Sequence, residues 1–505
     1  MSKDVVIAGG GTAGWITALY LKKIYPSFNI TLIESTSIGI LGAGEGSDPL
    51  LTNFLNLVDI DLSDIIKNCD ATIKTGIKFT NWNDDGKFYY HPFRVSQGNQ
   101  LGMDDLQLKT SSLIVSSIFK NKTCSDINFI EKISEENRVP FIYKNIGKSN
   151  LKEDYEHLAE YAIHFNASKF AKRLEQIGLD RGINLIDSVI KEVGLDIDNN
   201  VESLTLENNE KVYCDFVFDC TGFSRLIIGK TFNSKWKSYK DFLPVDSAVP
   251  FFIKTTDDIP PYTEAIAMKY GWMWKIPLQS RTGCGYAYDS SLISEQEAIK
   301  EIEDYIGFEP EYPRKDKGGF SFDAGCYEES WINNCVAVGL ASSFIEPLEA
   351  TSITGSLILL KRLLENPEWL FEDRKYIKKE FNKFVYELNN HVSEFIYFHY
   401  LGERNDTKFW KKFSYENAPE KLKEKMSLWQ ERFPNTDDSS IYRLYHSWLL
   451  VGLGVNAINK ALAGSYVENS EKYKQGLSGY NYFVSLQNQV VPKCIDHVEF
   501  LEGLK

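Results

Sequence analysis

The sequence predicts an α/β protein in which a parallel nucleotide-binding sheet is interleaved with an antiparallel sheet and followed by a mainly helical C-terminal region. Three patterns support this prediction. Residues 4–8 form an apolar run that leads into a glycine-rich turn, as does a strand buried on both faces of a parallel sheet. Residues 246–288 contain the alternating stretches VPFFIK, WMWKIPL and CGYAYD, which are typical of antiparallel strands. From Ser356 onwards the pattern is helical and rich in aromatic residues.

The composition excludes several classes of protein. The 505 residues carry 56 basic and 70 acidic side chains, which gives a formal net charge of -14. Such a surface repels phosphate backbones and anionic lipids, so we expect neither a nucleic acid nor a membrane partner. No stretch approaches the roughly 20 apolar residues that span a bilayer, and the first strand begins too early to leave room for a signal peptide. The eight cysteines form no C-x-x-C pair, which fits a reducing compartment, and we expect a cytoplasmic protein.

The turn after the first strand matches the G-x-G-x-x-G pattern of dinucleotide-binding proteins. Gly9 would permit the tight turn, Gly11 would let the backbone approach a pyrophosphate, and Gly14 would allow the next helix to pack closely. The N-terminus of that helix would face the anion. A second strand over residues 29–33 ends in Glu34, which suits a ribose hydroxyl. These features together predict a bound dinucleotide but do not separate NAD from FAD.

Later segments are predicted to extend the same sheet and to interleave the domains. Residues 212–222 indicate a strand ending near Asp219, and residues 335–340 indicate another that runs into Gly339. A glycine-dense segment at 39–49 is either part of the nucleotide site or an ordinary flexible loop. The predicted nucleotide-binding domain comprises residues 1–110, 150–235 and 320–370, the substrate sheet comprises 111–149 and 236–319, and the helical substrate-binding region comprises 371–505.

Residues 71–82 contain the first candidate for a catalytic side chain. Their alternation predicts one strand, with Ile73, Ile77 and Phe79 on one face and Lys74 and Lys78 on the other. A lysine on such a strand is commonly only solvated, so this pattern by itself does not separate a catalytic role from an exposed one.

Residues 342–352 contain the second candidate because they precede a predicted helix with an apolar stripe. The stripe comprises Ile353, Leu357, Leu360 and Leu364. Thr351 and Ser352 would lie at the helix N-terminus, where unpaired backbone N–H groups can hold a small anion such as halide. The alternative is that one of these two residues is merely the N-cap.

Four motifs in this order resemble the flavin-dependent tryptophan halogenase family: GGGTAGW at 9–15, K-x-x-I-K-F-x-x-W at 74–82, GWMWKIP at 271–277 and FIEPLEAT at 344–351. The resemblance covers nearly the whole chain, and W-x-W-x-I-P is the family's signature. It implies a FAD-binding Rossmann-like domain of the glutathione-reductase and monooxygenase type. In that family the signature lies beside the flavin and is taken to hinder the monooxygenase reaction, although Trp272 and Trp274 would also suit a core by themselves.

The resemblance also implies a reaction. FAD reduced by a separate NAD(P)H-dependent flavin reductase would react with oxygen to a flavin hydroperoxide, which chloride, bromide or iodide held near the amides of Thr351 and Ser352 would attack. The hypohalous acid would reach Lys74, the first lysine of the motif, and would either form a haloamine or accept a hydrogen bond there. Glu349 matches the family glutamate, which lies near the lysine and stabilises charge on the aromatic ring. The second lysine of the motif is then structural.

The remaining site residues follow from the same resemblance. His91 and Phe93 match a His-x-Phe pair that stacks on the indole, although without that match they would be a loop histidine and a core phenylalanine. Trp448, with Tyr445 and His446, is assigned to the substrate site, and its spacing equally suits helix packing. The implied flavin site comprises Gly9, Gly11, Thr12, Ala13, Gly14, Glu34, Gly42, Glu45, Gly46, Val189, Asp219, Gly222, Gly339 and Leu340.

Three departures from the family pattern limit what the resemblance implies. Residues 44–47 read G-E-G-S in place of G-E-A-T, and residues 349–352 read E-A-T-S in place of E-S-T-G, which leaves the halide preference open. The segment between Phe433 and Gly452 is too short for the family's aromatic and acidic lid over the amino-acid group of tryptophan. We therefore expect an indole- or phenol-like aromatic substrate and not free tryptophan.

Two other functions stay open on the sequence. A FAD-dependent monooxygenase that hydroxylates an aromatic ring or reduces an isoprenoid would need no halide. A catalytically silent flavin-binding protein would oxidise reduced FAD without modifying a small molecule. The joint presence of Lys74, Trp272, Trp274 and Glu349 favours the halogenase. The sequence leaves open whether the chain forms a homo-oligomer.

Overall fold

The computed structural model describes residues 3–37, 45–93, 115, 129–143, 155–365, 367–372, 374–440, 445–459, 462 and 470–504. The chain divides into two compact units. Unit 1 comprises Met1–Cys69, Phe165–Asp241 and Asp323–Val392, and unit 2 comprises Asp70–His164, Phe242–Phe322 and Ser393–Lys505.

The described strands are numbered in chain order. They are β1 Asp4–Ala8, β2 Asn29–Glu34, β3 Glu45–Gly46, β4 Thr72–Lys74, β5 Gly76–Thr80, β6 Phe88–Pro92, β7 Phe141–Tyr143, β8 Tyr155–His157, β9 Ala162–Phe165, β10 Asn184–Asp187, β11 Ile190–Leu195, β12 Val201–Leu206, β13 Lys211–Tyr213, β14 Phe216–Asp219, β15 Trp236–Ser238, β16 Ser247–Lys254, β17 Thr263–Ala267, β18 Gly271–Pro277, β19 Arg281–Tyr288, β20 Phe320–Ser321, β21 Gly325–Tyr327, β22 Trp331–Ile332, β23 Cys335–Ala337 and β24 Ser343–Phe344.

The described α-helices are numbered in the same way. They are α1 Thr12–Ile24, α2 Pro49–Leu57, α3 Leu62–Asn68, α4 Phe129–Glu135, α5 Ala167–Asp180, α6 Glu295–Ile306, α7 Thr351–Leu364, α8 Lys375–His399, α9 Glu420–Leu428, α10 Tyr445–Gly454, α11 Ser470–Val490 and α12 His497–Gly503.

Unit 1 is built on a six-stranded sheet of order β10-β2-β1-β14-β23-β22. All neighbouring strands are parallel except β22 and β23, which are antiparallel. Val5, Val6 and Ile7 are fully buried, as a strand covered on both faces requires. Helix α1 packs against α5 and α7. Three of the four segments that the sequence predicted to share one sheet do so, because each is an apolar run that is stable only when both its faces are covered. The fourth, residues 212–222, does so only in β14, since Val212 and Tyr213 belong to β13, which pairs with β12 in another sheet.

Unit 2 is built on a seven-stranded sheet of order β20-β16-β19-β18-β17-β5-β6. Its strands are antiparallel except β5 and β17, which run parallel. On one face Ile266, Met273 and Tyr286 pack with Ala298 and Ile302 of α6. The opposite face carries the indoles of the W-x-W-x-I-P motif. The predicted antiparallel sheet is therefore confirmed.

The strand predicted over residues 71–82 is wrong in one respect, because the structure has two short strands there. β4 pairs with β9, whereas β5 pairs with β6 and β17 in the seven-stranded sheet. The chain leaves the first pairing at Thr75, whose N–H and hydroxyl both donate to the carbonyl of Pro261, at 2.7 and 2.6 Å. Hydrogen bonds to a distant loop thus divide into two strands a segment whose alternation is unbroken in the sequence.

The compact units differ from the predicted domains in several segments; among them, residues 155–164 group with unit 2 and residues 236–241 group with unit 1. Residues 70–93 group with unit 2, because β5 and β6 belong to its seven-stranded sheet. Residues 374–392, predicted to belong to the C-terminal region, group with unit 1. The C-terminal region is helical, as predicted, and within the described ranges none of its helices has the length and apolar character needed to cross a bilayer.

Candidate active site

The glycine-rich turn after β1 uses its three glycines in different ways. Gly9 has a φ of 116°, and a Cβ atom there would lie 2.2 Å from the carbonyl oxygen of Cys220. A Cβ at Gly14 would lie 1.9 Å from the carbonyl oxygen of Gly9. At Gly11 the φ is -73°, and no atom of the described residues lies within 4 Å of an added Cβ. The first and third glycines are therefore required by the fold, whereas the second borders open space at the start of α1.

That open space has the properties of an anion site. Helix α1 begins at Thr12 with Gly11 as its N-cap, and no described side chain caps it or places a carboxylate in its first turn. The unpaired N–H groups and the helix dipole therefore favour a negatively charged group such as a pyrophosphate. This arrangement is the one that the sequence predicted for Gly9, Gly11 and Gly14.

Glu34 lies against the same turn from the end of β2. A Cβ at Gly10 would lie 1.8 Å from the Glu34 Oε2 atom, so only glycine fits beside this carboxylate. Burial, followed by repulsion from Glu175, raises the pKa of the Glu34 carboxyl above its usual value. A carboxylate beside the glycine turn can accept hydrogen bonds from ribose hydroxyls.

Asp219 is fully buried at the end of β14, and its carboxylate accepts hydrogen bonds from the loop that follows the strand. One oxygen accepts from the N–H and hydroxyl of Thr221, at 3.1 and 2.6 Å. The other accepts from the N–H groups of Ile227 and Ile228, both at 2.8 Å. The side chain thereby shapes the loop that contains Gly222, which has a φ of 63°. Any contribution of Asp219 to a nucleotide site is made through this loop.

The other residues predicted for the flavin site also follow strands of the six-stranded sheet. Val189 follows β10, Gly222 follows β14, and Gly339 and Leu340 follow β23. A Cβ at Gly339 would lie 2.7 Å from the Cβ of Ala13, so this turn packs directly on the start of α1. Carboxyl ends of parallel strands form the edge where such sheets bind ligands. Glu45 and Gly46 form β3 in unit 1, and Gly42 lies outside the described residues.

The predicted halide helix begins where the sequence indicated, but its cap is different. Helix α7 starts at Thr351, and its N-cap is Ala350, which has a φ of 55° and a side chain that cannot form hydrogen bonds. The alternative that Thr351 or Ser352 is the N-cap is therefore wrong. Glu349 immediately precedes Ala350 and is 3% exposed. An uncapped first turn of a 14-residue helix leaves N–H groups for a small anion.

The two lysines of the K-x-x-I-K motif have different environments in unit 2. Lys74, in β4, is 2% exposed, and its Nζ lies 5.5 Å from the centre of the Phe93 ring. Lys78, in β5, donates to a carboxylate oxygen of Glu135 at 3.0 Å and lies 3.9 Å from the centre of the Phe88 ring. Lysine is rarely buried so deeply, because removing an ammonium from water is costly. Burial at this position marks Lys74 as a candidate functional group and excludes the solvated alternative.

Two buried histidines that the sequence did not indicate lie beside the Lys74 strand. The N–H of Ile73 donates to His497 Nε2 at 3.0 Å, and His497 Nδ1 donates to the carbonyl oxygen of Ile259 at 2.7 Å. Burial lowers the pKa of His497 to about 4. Burial, followed by the charge of Lys74, holds the pKa of His164 well below its usual value. Both rings are therefore neutral near neutral pH, and no local motif could have identified them.

Two of the aromatic residues predicted to bind substrate, His91 and Trp448, are linked through Phe395, which the sequence did not indicate. The His91 ring, on β6, lies 5.7 Å from that of Phe395, and the Phe395 ring lies 4.9 Å from that of Trp448. Phe93 follows β6 and approaches Lys74 from the same segment. Trp448 is fully buried and also contacts Phe398 and Trp429, as the packing alternative required. The side chains of Tyr445 and His446 lie outside the described residues.

The two indoles of the W-x-W-x-I-P motif lie beside small residues on both neighbouring strands. Trp272 and Trp274 lie 5.8 Å apart at an interplanar angle of 56°. Their partners on the neighbouring strands are Ala265 and Gly285 beside Trp274, and Ala267 and Ala287 beside Trp272. A Cβ at Gly285 would lie 2.0 Å from the Trp274 ring. The sheet is therefore shaped to hold both indoles in place.

Comparison with known proteins agrees with these features. The family model described as tryptophan halogenase matches residues 4–468. The tryptophan 6-halogenase SttH of Streptomyces toxytricini is 31% identical over 485 residues, which cover 90% of this chain and 89% of that protein. The crystal structure of SttH superposes with a TM-score of 0.86 at 28% identity, covering 99% of this chain and 100% of that one. BrvH, a flavin-dependent halogenase from Brevundimonas sp. BAL3, gives a TM-score of 0.82 at 28% identity, covering 100% and 99%.

Proposed function

Because the chain belongs to the tryptophan halogenase family, we propose that it halogenates an electron-rich, indole- or phenol-like aromatic substrate in a reaction that requires reduced FAD, oxygen and halide. The observation that carries this proposal is the burial of Lys74, whose Nζ lies 5.5 Å from the centre of the Phe93 ring, on a strand that contacts the neutral His164 and His497. Lys78 of the same motif keeps 14% of its side chain exposed, and its ammonium is paired with the carboxylate of Glu135, which is 43% exposed.

The residues of unit 1 fit FAD. The open space at Gly11, the uncapped start of α1 and the carboxylate of Glu34 suit the pyrophosphate and ribose of a dinucleotide. FAD reduced by a separate NAD(P)H-dependent flavin reductase supplies, with oxygen, the oxidising power that converts halide to hypohalous acid. The first-turn amides at Thr351 and Ser352 would hold the chloride, bromide or iodide.

Lys74 would hold the halogenating species at the substrate. Hypohalous acid and an aromatic C–H give an aryl halide and water: the ring carbon takes the halogen, and the displaced ring proton leaves with the hydroxide. The ammonium form of Lys74 donates to the oxygen of the acid and assists the departure of hydroxide, whereas the amine form takes the halogen as an N–X bond. Both routes need an amine shielded from bulk water, and the 2% exposure of Lys74 provides that shielding.

Glu349 and the aromatic residues complete the proposed roles. A carboxylate with 3% exposure can stabilise the positive charge that develops on the ring and accept its proton. His91 on β6 and Phe93, two residues later, would stack on the ring, and Trp448 would support His91 through Phe395. The short segment after Phe433 favours substrates that lack the amino-acid group of tryptophan.

The test uses the whole protein with FAD, a flavin reductase, NADH, oxygen and each halide, against indoles, phenols and free tryptophan. Products are identified by mass spectrometry. Lys74→Met, which keeps the apolar stem, is expected to retain oxidation of reduced FAD and to lose at least about 100-fold of the halogenated product. Lys78→Met is the matched control and is expected to halogenate as the wild type does.

Each alternative predicts a different result. Hydroxylated or reduced product without any halide requirement would identify a monooxygenase, and oxidation of reduced FAD with no product would identify a silent flavoprotein. The lysine mechanism is refuted if Lys74→Met halogenates as well as the wild type while a scavenger of free hypohalous acid has no effect. Lys74→Arg separates the two lysine routes, because arginine keeps a donor but never becomes a neutral amine.

A further inference from the structure

The strand that bears Lys74 is tied by a side chain to the end of the W-x-W-x-I-P motif. The hydroxyl of Thr72 lies 2.6 Å from the carbonyl oxygen of Pro277, the last residue of that motif. A carbonyl only accepts, so the single hydroxyl proton of Thr72 is donated to Pro277. Thr72 and Lys74 are two residues apart in β4 and therefore project from the same face of the strand.

The same hydroxyl takes part in a longer buried chain of hydrogen bonds. Because the proton of Thr72 is used at Pro277, its oxygen must accept from His164 Nδ1, which lies 3.1 Å away. His164 Nε2 lies 2.9 Å from the hydroxyl of Thr263 and accepts from it when the ring is neutral. The order of donation is Thr263, His164, Thr72 and Pro277. This order specifies the Nδ1–H tautomer of His164 and leaves each of these groups with a partner.

The backbone on both sides of Lys74 is held as well. The N–H of Ile73 donates to His497, and the N–H of Thr75 donates to the carbonyl of Pro261. The main chain next to Lys74 is thus fixed in position along the strand, while Thr72 fixes the face from which the lysine projects. All of these groups belong to unit 2.

We propose that Thr72 is a positioning residue for Lys74, which sets where the lysine amine lies and hence which ring carbon receives the halogen. This inference rests on the proposed halogenase function. It gives the proline end of the W-x-W-x-I-P motif a second role, as the carbonyl to which the lysine strand is anchored.

Thr72→Val tests the inference because valine has the shape of threonine but no hydroxyl. The substitution leaves the Pro277 carbonyl and His164 Nδ1 without their buried partner. A displacement of a reacting group by about 1 Å can cost up to about 100-fold in rate. We expect the halogenated product formed per reduced FAD oxidised to fall about 10- to 100-fold, and the ratio of regioisomers on an indole substrate to change. Thr72→Ser is expected to restore both quantities.

Two further measurements separate positioning from a general loss of structure. Thr80→Val is the matched control, because Thr80, the last residue of β5, has a hydroxyl that donates to Glu264 at 2.7 Å. This substitution is expected to change neither the yield nor the regioisomer ratio. Nitrogen-15 NMR of the seven histidines, assigned with a His164 variant, is expected to show the Nδ1–H tautomer in the wild type and its loss in Thr72→Val.

The outcomes are distinct. An unchanged regioisomer ratio with an unchanged yield in Thr72→Val overturns the inference, and so does a lower yield that only follows a loss of folded protein. If Thr72→Val does not fold, Thr263→Val removes the first donor of the same series of hydrogen bonds. An unchanged regioisomer ratio in Thr263→Val then overturns the inference. Failure of the proposed function looks different: the wild type then forms no halogenated product, or Lys74→Met halogenates as the wild type does.

Discussion

The substitution Gly11→Ala separates the folding role of the glycine turn from its binding role. An added Cβ at Gly11 meets no atom of the described residues within 4 Å, and the φ of -73° suits any residue. The methyl group would instead occupy the open space at the start of α1. The substitution should therefore leave the fold intact and weaken the binding of FAD.

The magnitudes follow from the same geometry. Replacing glycine by alanine at an unstrained position stabilises a protein by about 0.4–1 kcal/mol through the entropy of the unfolded chain. Alanine is a poorer N-cap than glycine, and Gly11 is the N-cap of α1, so the two effects oppose each other and the free energy of unfolding should change by less than about 1 kcal/mol. Gly14→Ala is the matched control, because its Cβ would lie 1.9 Å from the carbonyl oxygen of Gly9, and such overpacking costs about 1–3 kcal/mol. Loss of one hydrogen bond to a charged phosphate, about 1.5–3 kcal/mol, corresponds to about a 10- to 150-fold higher dissociation constant for FAD.

Two measurements check these values. Urea unfolding without FAD gives the free energy of unfolding of each variant, and quenching of flavin fluorescence gives the dissociation constant. The expected pattern is a stable Gly11→Ala with weak FAD binding and a destabilised Gly14→Ala. The reasoning is refuted if Gly11→Ala unfolds as easily as Gly14→Ala, or if it binds FAD as tightly as the wild type.

Three further predictions concern unit 2. His497→Gln should make the free energy of unfolding less sensitive to acid. Burial lowers the pKa of His497 from 6.5 to about 4. The stabilising contribution of His497 is therefore complete above pH 6.5 and is lost as the pH falls toward 4. The difference in free energy of unfolding between wild type and His497→Gln should therefore shrink by about 2 kcal/mol between pH 8 and pH 5 in urea titrations, and a constant difference would contradict this. Gly285→Ala should destabilise by about 1–3 kcal/mol and change the near-ultraviolet circular dichroism of the displaced Trp274 indole, whose ring lies 2.0 Å from the added Cβ; an unchanged spectrum and stability would show that the ring has room. Lys78→Met should cost at most about 1 kcal/mol in thermal unfolding, because its partner Glu135 is 43% exposed, and a larger loss would mean that the aromatic rings around the ammonium contribute more than the ion pair.

Local patterns were sufficient where neighbours in the sequence determine the structure. The strand β1, the glycine turn and helix α1 were all predictable, because an apolar run and three glycines act within a few residues of one another. The alternative that Thr351 or Ser352 is the N-cap of α7 was wrong because Ala350 adopts a left-handed conformation that its side chain does not indicate. Conformations of this kind are imposed by the surroundings of a residue.

The lysine strand shows the limit of pattern reasoning more clearly. Alternation over residues 71–82 predicted one strand. The structure has two strands there, because the N–H and hydroxyl of Thr75 donate to the carbonyl of Pro261. The pattern placed Lys74 and Lys78 on one face of one strand, whereas the structure places them on two strands of different sheets. Partners that come from far along the chain determine which lysine is enclosed.

The sequence by itself determined the fold class, the dinucleotide turn and the candidate lysine and glutamate, because these depend on short motifs and on resemblance to a family. Only the tertiary structure decided that Lys74 is enclosed while Lys78 is paired with Glu135. It alone showed that His164 and His497 are neutral partners of the lysine strand. The physical reason is that burial and hydrogen bonding are properties of the space around a side chain, and here that space is formed by segments hundreds of residues apart.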